Sequence, residues 1–247
     1  MNSDEKTLQR LYDGNADNFL FTRTEEKGIT GFFNREIEQP IIFDLVPQNL
    51  TGKKLLDVGC GPGIHLKQYI GRGAEGFGVD LSPKMIDLAQ KHCSEGNFKV
   101  GSVSELDYVD DSFDIITSSL MLDHVENLDG VFKELKRVLK DGGLLIFSAP
   151  HPVSNMFRDN EDGKFVPTHN YFDRNVLYCN IAGGGKEFID FPRTIQDYLE
   201  VLLKNNFILE KFVESEPLQE WKEKYPELEE WIMKIPFFCF FKLKISK

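Results

Sequence analysis

The chain has 247 residues, 41% hydrophobic and 28% charged, enough to bury the core of one α/β domain with an elaboration. Forty acids against 29 bases leave a formal net charge of −11, which opposes nonspecific binding to phosphate backbones and anionic membrane. Four cysteines without metal or C-x-x-C spacing, a polar start and no apolar run of about 18 residues argue against a zinc module, a disulfide scaffold or a membrane span; the cytoplasm is the expected compartment.

Residues 1–50 read as an N-terminal helical cap ahead of a main domain over 51–247. Leu8, Leu11 and Tyr12 recur at helical spacing, as do Ile37, Ile41, Ile42, Leu45 and Val46. The stretch E-E-K-G-I-T-G-F-F-N-R between them carries two glycines and reads as a loop. From Lys54 to Asp80 the order is strand, glycine loop, helix, strand, acid. Leu55, Leu56 and Val58 form a short apolar run suited to a buried parallel strand. Gly59, Gly61 and Gly63 allow a sharp turn and close approach of a ligand to the backbone. The helix that follows offers unpaired N–H groups and the positive end of its dipole. Asp80 ends the second strand with an acceptor-only carboxylate, suited to two ribose hydroxyls.

Spacing separates two nucleotide-like cofactors. A dinucleotide site wants G-x-G-x-x-G, and counted from Gly59 its last position falls on Ile64. The sequence instead reads D-x-G-x-G-x-G, with Asp57 inside the first strand and D-L-S-P-K-M-I-D-L-A after the second. This resembles motif I of the class I, seven-stranded, Rossmann-like S-adenosylmethionine-dependent methyltransferases. The resemblance implies a doubly wound, mostly parallel seven-stranded sheet of order 3-2-1-4-5-7-6 with the last strand antiparallel. It implies S-adenosyl-L-methionine as cofactor and S-adenosyl-L-homocysteine as product. By the same resemblance Gly59, Cys60, Gly61 and Gly63 form the cofactor loop, Asp57 lies near the methionine portion, and Asp80 binds the ribose. The resemblance further implies a lead-in folded over the cofactor, with Tyr12 and Arg35 at its methionine end, where Arg35 would suit the carboxylate. A surface arginine and a half-buried tyrosine are the plain alternative.

Ser82 as N-cap and Pro83 at the first helical position start the next helix, with Met85, Ile86, Ala89 and Cys93 as its buried stripe. Leu81 and Met85 are placed to wall the adenine, or Met85 is plain core. The third strand, F-K-V-G-S-V, ends where related methyltransferases carry an acid for the adenine amino group. Ser102 stands there instead, with Val103 beside it. Phe113, Ile115 and Ile116 are core of a fourth strand whose carboxyl end, Ser119, Leu120 and Met121, faces the ligand crevice. His124 follows as a candidate catalytic contact, with a structural bond to backbone as the alternative. A helix with Val131, Leu135, Val138 and Leu139 on its stripe is expected to end at D-G-G before the fifth strand, L-L-I-F-S-A-P.

His151 sits between Pro150 and Pro152 at the end of the fifth strand and is the candidate base, a turn histidine being the alternative. Residues 151–192, with Tyr171, Phe172 and Tyr178, form the expected substrate lid, too long for a simple connection. Thr194 with Asp197 resembles a capping box, and Arg193 before it offers itself to an anionic substrate group or a structural ion pair. F-I-L-E-K-F-V and the alternating I-P-F-F-C-F-F-K-L-K-I supply strands six and seven.

The expected activity is methyl transfer to an O, N, S or C nucleophile of a small molecule, without a metal, nucleic acid or membrane. An RNA methyltransferase, a noncatalytic cofactor-binding subunit and a nicotinamide oxidoreductase are the competing readings; the acidic charge weighs against the first and the loop spacing against the last.

Overall fold

The computed structural model describes residues 3–24, 29–159, 165–167, 169–180, 187–225 and 230–247. Its centre is a seven-stranded sheet. In chain order the strands are β1 (Lys54–Val58), β2 (Glu75–Asp80), β3 (Asn97–Val100), β4 (Phe113–Ser119), β5 (Leu139–Pro150), β10 (Phe207–Glu214) and β11 (Phe238–Ile245). They lie in the order β3-β2-β1-β4-β5-β11-β10, which is the expected 3-2-1-4-5-7-6 arrangement. β11 runs antiparallel to both neighbours, and the pairs among β1 to β5 are parallel. Two hairpins, β6 (Phe157–Asp159) with β7 (Phe165–Pro167) and β8 (Leu177–Asn180) with β9 (Glu187–Asp190), stand apart from the sheet within the 151–192 insertion.

Helices cover both faces, as buried parallel strands require. On one face α6 (Leu128–Val138) and α7 (Ile195–Lys204) bury Val131, Phe132, Leu135, Tyr198 and Leu202 against β4, β5 and β11. There Phe147 stacks on Phe241, with ring centroids 4.6 Å apart. On the other face α3 (Gln39–Leu45) and α4 (Ile64–Gly71) bury Ile42, Leu45, Leu66 and Tyr69 against Leu55, Ile115, Ile146 and Phe240. Ser82 caps α5 (Pro83–His92) through Met85 N–H, and Thr194 with Asp197 forms a full capping box on α7.

The lead-in is more helical than its glycines suggest. α1 (Ser3–Thr24) is followed by α2 (Ile29–Phe32), a π-helix over Phe33–Glu38, and α3, so the expected loop from Ile29 onward is helix. Residues 25–28 lie outside the described residues. The D-G-G signal also acts differently. α6 stops at Val138, Leu139 already pairs with Phe113, and the glycines form an irregularity inside β5, where Gly142 takes a φ of 71°. A second irregularity interrupts the edge strand β10 between Leu209 and Lys211.

The π-helix sets one side chain where no charge would be expected. Glu38 is fully buried. Its Oε1 accepts from Ser119 Oγ at 2.8 Å and Ser148 Oγ at 2.7 Å, and its Oε2 lies 3.1 Å from His65 Nε2. Burial pushes its pKa up, but His65 and the two serines outweigh burial and hold the carboxyl below its usual range. Removing one partner of such a network strands the others in a dry interior. Glu38→Ala is therefore expected to lower unfolding stability in urea at neutral pH by about 3 to 5 kcal/mol. Glu38→Gln, which keeps an acceptor oxygen, should cost less. Equal midpoints for wild type and Glu38→Ala would show that the network does not hold the fold.

Candidate functional site

The chain leaves β1 at Val58 and turns through Gly59, Gly61 and Gly63, whose φ values of 68°, 50° and 76° all lie in the left-handed region. The three glycines serve different neighbours. A Cβ at Gly59 would stand 2.4 Å from Met121 Cγ, and one at Gly63 would press on Ala89 and Phe98 at 3.3 and 3.2 Å. A Cβ at Gly61 would meet only Phe19, at 3.9 Å, and would otherwise project into open space. That space is a cavity of about 130 Å³.

Asp80 braces the loop as well as facing the cavity. Its Oδ2 accepts Gly61 N–H and its Oδ1 accepts Ser82 N–H, each at 2.9 Å, leaving lone pairs on both oxygens for a ligand. Asp57 is buried beneath the loop and accepts Thr117 Oγ1 at 2.8 Å. Burial raises its pKa to about 6, against the pull of His65 and Thr117.

α1 supplies one wall. Leu8, Tyr12, Phe19 and Arg23 lie on one helical stripe and line the cavity. Three polar contacts pin the helix to the rim: Gln9 Nε2 donates to Leu81 O at 3.0 Å, Ser82 Oγ to Asp13 Oδ1 at 2.5 Å, and Ser102 Oγ to Glu5. The Arg23 guanidinium lies 4.1 Å over the Phe19 ring.

The turn after β4 supplies another part of the wall. His124 Nδ1 lies 2.9 Å from Ile189 O and 2.8 Å from Asp190 Oδ1, and its Nε2 lies 3.8 Å from Asp123 Oδ2. Burial opposes the imidazolium, yet the two carboxylates and these contacts raise its pKa to about 10. Tyr12 packs edge-on against His124 and Phe188, with centroids 5.8 and 4.9 Å away. Burial and the nearby carboxylates keep the Tyr12 phenol protonated far above its usual range. Arg193 stitches this turn together by donating to the carbonyls of Leu122, Val125, Glu126 and Phe191, which commits it to backbone rather than to a substrate anion.

Of the residues singled out in the sequence, Tyr12, Asp57, Gly59, Cys60, Gly61, Asp80, Leu81, Met85, Val103, Ser119, Leu120 and His124 line this one cavity. Gly63, Ser102, Arg35 and His151 do not. Gly63 caps α4, and the Ser102 hydroxyl is taken by Glu5. Arg35 is half-buried on the π-helix, and Arg23 is the cation at the cavity wall. His151 is 3% exposed; its Nε2 lies 2.9 Å from Glu214 Oε1, its Nδ1 accepts Val153 N–H at 3.1 Å, and its own N–H donates to Phe237 O. Nε2 ties the end of β5 to β10, Nδ1 holds the turn at Val153 and the backbone N–H reaches the residue before β11, so both ring nitrogens are engaged and the structure does not bring this candidate base to the site. Phe172 in the insertion is 73% exposed and Tyr171 lines a separate groove, while the side chain of Tyr178 lies outside the described residues.

The sequence reading missed Arg23, Glu38, His65 and Asp190. Signals for three of them existed: Arg23 continues the α1 stripe, Glu38 precedes Ile42 and Leu45 on one helical face, and Asp190 shares a strand face with Phe188.

Residues 56–147 match the methyltransferase domain family. A protein of Haemophilus influenzae is 37% identical over 164 residues, covering 61% of this chain and 62% of the relative. A ubiquinone biosynthesis O-methyltransferase of Dechloromonas aromatica is 37% identical over 127 residues, covering 48% of this chain and 55% of the relative. The chain thus spans less than two thirds of the length of either. Among solved structures, an S-adenosylmethionine-dependent methyltransferase from Listeria monocytogenes superposes with a TM-score of 0.74 at 25% identity, covering 85% of this chain and 97% of that one. One from Mesorhizobium loti gives 0.72 at 26% identity, covering 84% and 97%.

Asp57 has a measurable consequence for stability. A carboxyl that ionises at 3.8 when unfolded and at about 6 when folded is bound more tightly to its proton in the fold, so its contribution to stability is fully present below pH 4 and is lost as pH rises through 6. The loss at neutral pH amounts to about 3 kcal/mol. Asp57→Asn should remove this fall in the ligand-free protein, measured as the difference between the two urea-unfolding curves across that window. Parallel pH profiles would refute the buried-acid assignment.

Proposed function

The chain carries a methyltransferase domain of the class I, Rossmann-like, S-adenosylmethionine-dependent type, and from that premise we propose that it methylates a nucleophilic O, N, S or C atom of a small molecule. The observation that carries the reading is the Gly61 and Asp80 pair: a glycine whose missing side chain leaves cavity space, braced by a half-buried carboxylate with lone pairs to spare. These residues fit the cofactor. Asp80 would hold the ribose hydroxyls, the backbone at Gly59 to Gly61 the polar methionine portion, and Leu81 with Met85 the adenine faces. Arg23, with no ion pair within 4 Å among the described residues, supports a role on the α-carboxylate.

When bound, S-adenosylmethionine supplies a methyl group activated by a sulfonium. The work left to the chain is positioning. Alignment of two reacting groups is worth about 7 to 11 kcal/mol, against a factor of about 10² to 10⁴ for proton transfer. Met121, His124 and Phe191 line the same cavity, and the phenol of Tyr12 and the imidazole of His124 are two polar groups on it that would orient an acceptor. Small-molecule rather than polymer substrates are favoured by the enclosure of α1 over the cavity and by the net charge of −11.

Calorimetry with S-adenosylmethionine and S-adenosylhomocysteine tests the cofactor assignment. Asp80→Asn, which preserves shape, should weaken binding by about 1 to 3 kcal/mol. Unchanged affinity in a folded variant would remove the ribose assignment. Formation of S-adenosylhomocysteine against a panel of small phenols, acids, amines and thiols tests the activity. Tight cofactor binding with no turnover on any acceptor class would favour a binding subunit instead.

A further inference from the structure

We propose that Asp123 and His124, backed by Asp190, form a divalent-cation site in the wall of the cavity. One ligand atom from each of the three residues lies within 4.8 Å of the others, and they come from two distant segments, the turn after β4 and the end of β9. All three are buried.

Two independent observations point to a cation rather than to a closed hydrogen-bond cluster. The first is an unsatisfied oxygen: Asp123 is 6% exposed, and its Oδ1 is buried with no hydrogen-bond partner. A carboxylate oxygen can only accept, so what it lacks is a donor or a positive ion. Among the described residues no lysine or arginine pairs with Asp123 within 4 Å, and Arg193 nearby donates to backbone carbonyls. The second is a gap. His124 Nε2 and Asp123 Oδ2 are 3.8 Å apart, too far for a hydrogen bond. Two ligands each about 2.1 Å from one ion, at tetrahedral or somewhat wider angles, stand roughly 3.4 to 3.8 Å apart.

The other side of the ring has the partners of a metal-bound histidine. Nδ1 faces Ile189 O at 2.9 Å and Asp190 Oδ1 at 2.8 Å, which keeps an N–H on that side, and an ion would displace the second proton of the imidazolium from Nε2, the nitrogen nearest Asp123. Ile189 O fixes the ring through Nδ1, and the Asp190 carboxylate beside that nitrogen adds negative charge behind it. One imidazole with carboxylates suits Mn²⁺, Co²⁺ or Zn²⁺ better than Ca²⁺, which takes oxygen ligands only. His124 lines the cavity, so remaining coordination positions open toward it. On the methyl-transfer reading, an oxygen donor of the acceptor would take one of them, which narrows the acceptor to a hydroxyl or carboxylate compound.

The test is metal binding by the full chain after chelator treatment, with Mn²⁺ followed by electron paramagnetic resonance and Zn²⁺ by calorimetry. One ion per chain is expected, with ¹⁴N coupling from a single imidazole in the Mn²⁺ spectrum. Asp123→Asn and His124→Ala should each weaken binding by about tenfold or more. Saturating Mn²⁺ and Zn²⁺ without stoichiometric uptake, or binding without nitrogen coupling, would overturn the site; so would unchanged affinity in folded variants. The wild-type spectrum decides the question even if a variant does not fold. Cofactor calorimetry on the same samples separates failure of this site from failure of the methyl-donor assignment.

Discussion

Burying one ionised carboxylate without solvent imposes the constraint from which the crevice takes its shape. Glu38 gives up hydration that costs several kcal/mol to remove, and the compensation comes from Ser119 at the end of β4, Ser148 near the end of β5 and His65 on α4. Each donor belongs to a different element. The carboxylate can be satisfied only when the carboxyl ends of two central strands, the helix after the glycine loop and the N-terminal segment occupy one mutual arrangement. The π-helix over Phe33–Glu38 is the local departure that delivers the side chain to that point.

The sheet was legible because its signals are local and mutually consistent. Apolar runs, glycine bounds and the caps at Ser82 and Thr194 each require one conformation, and the parallel order follows from right-handed crossovers together with the family resemblance. The glycine loop and Asp80 were legible for the same reason. The lead-in was not, since Gly31 signals a break and the helix around it is held by tertiary packing of Phe32 against Trp221 and Tyr225. D-G-G misled in a similar way: glycines that commonly stop a helix here relieve an irregular pairing between β4 and β5.

Within the site, identity of residue type was readable and partnership was not. His151 and Arg193 have the chemistry of a base and an anion binder, and both spend it on the chain itself. Their distant partners, Glu214 and Phe237 for one and the carbonyls of Leu122, Val125 and Glu126 for the other, lie tens of residues away, beyond any spacing rule. His124 has the opposite history. Its ring at the cavity stands against Asp190, which arrives from the far end of an insertion that the sequence presents as long, polar and aromatic without indicating what it meets.

The docking of α1 carries a further consequence. Five of its side chains, Glu5, Leu8, Tyr12, Phe19 and Arg23, belong to the cavity wall, while the helix holds the rim through Gln9, Asp13 and Glu5. Any molecule that touches those side chains therefore shares a free energy with the docking of the helix, and thermodynamic reciprocity makes the two effects equal. Whatever α1 adds to the grip on a ligand, the ligand adds to the grip on α1. Occupancy of the cavity is thus written into the protection of the N-terminal segment, and amide exchange along residues 3–24 becomes a gauge of what the crevice holds.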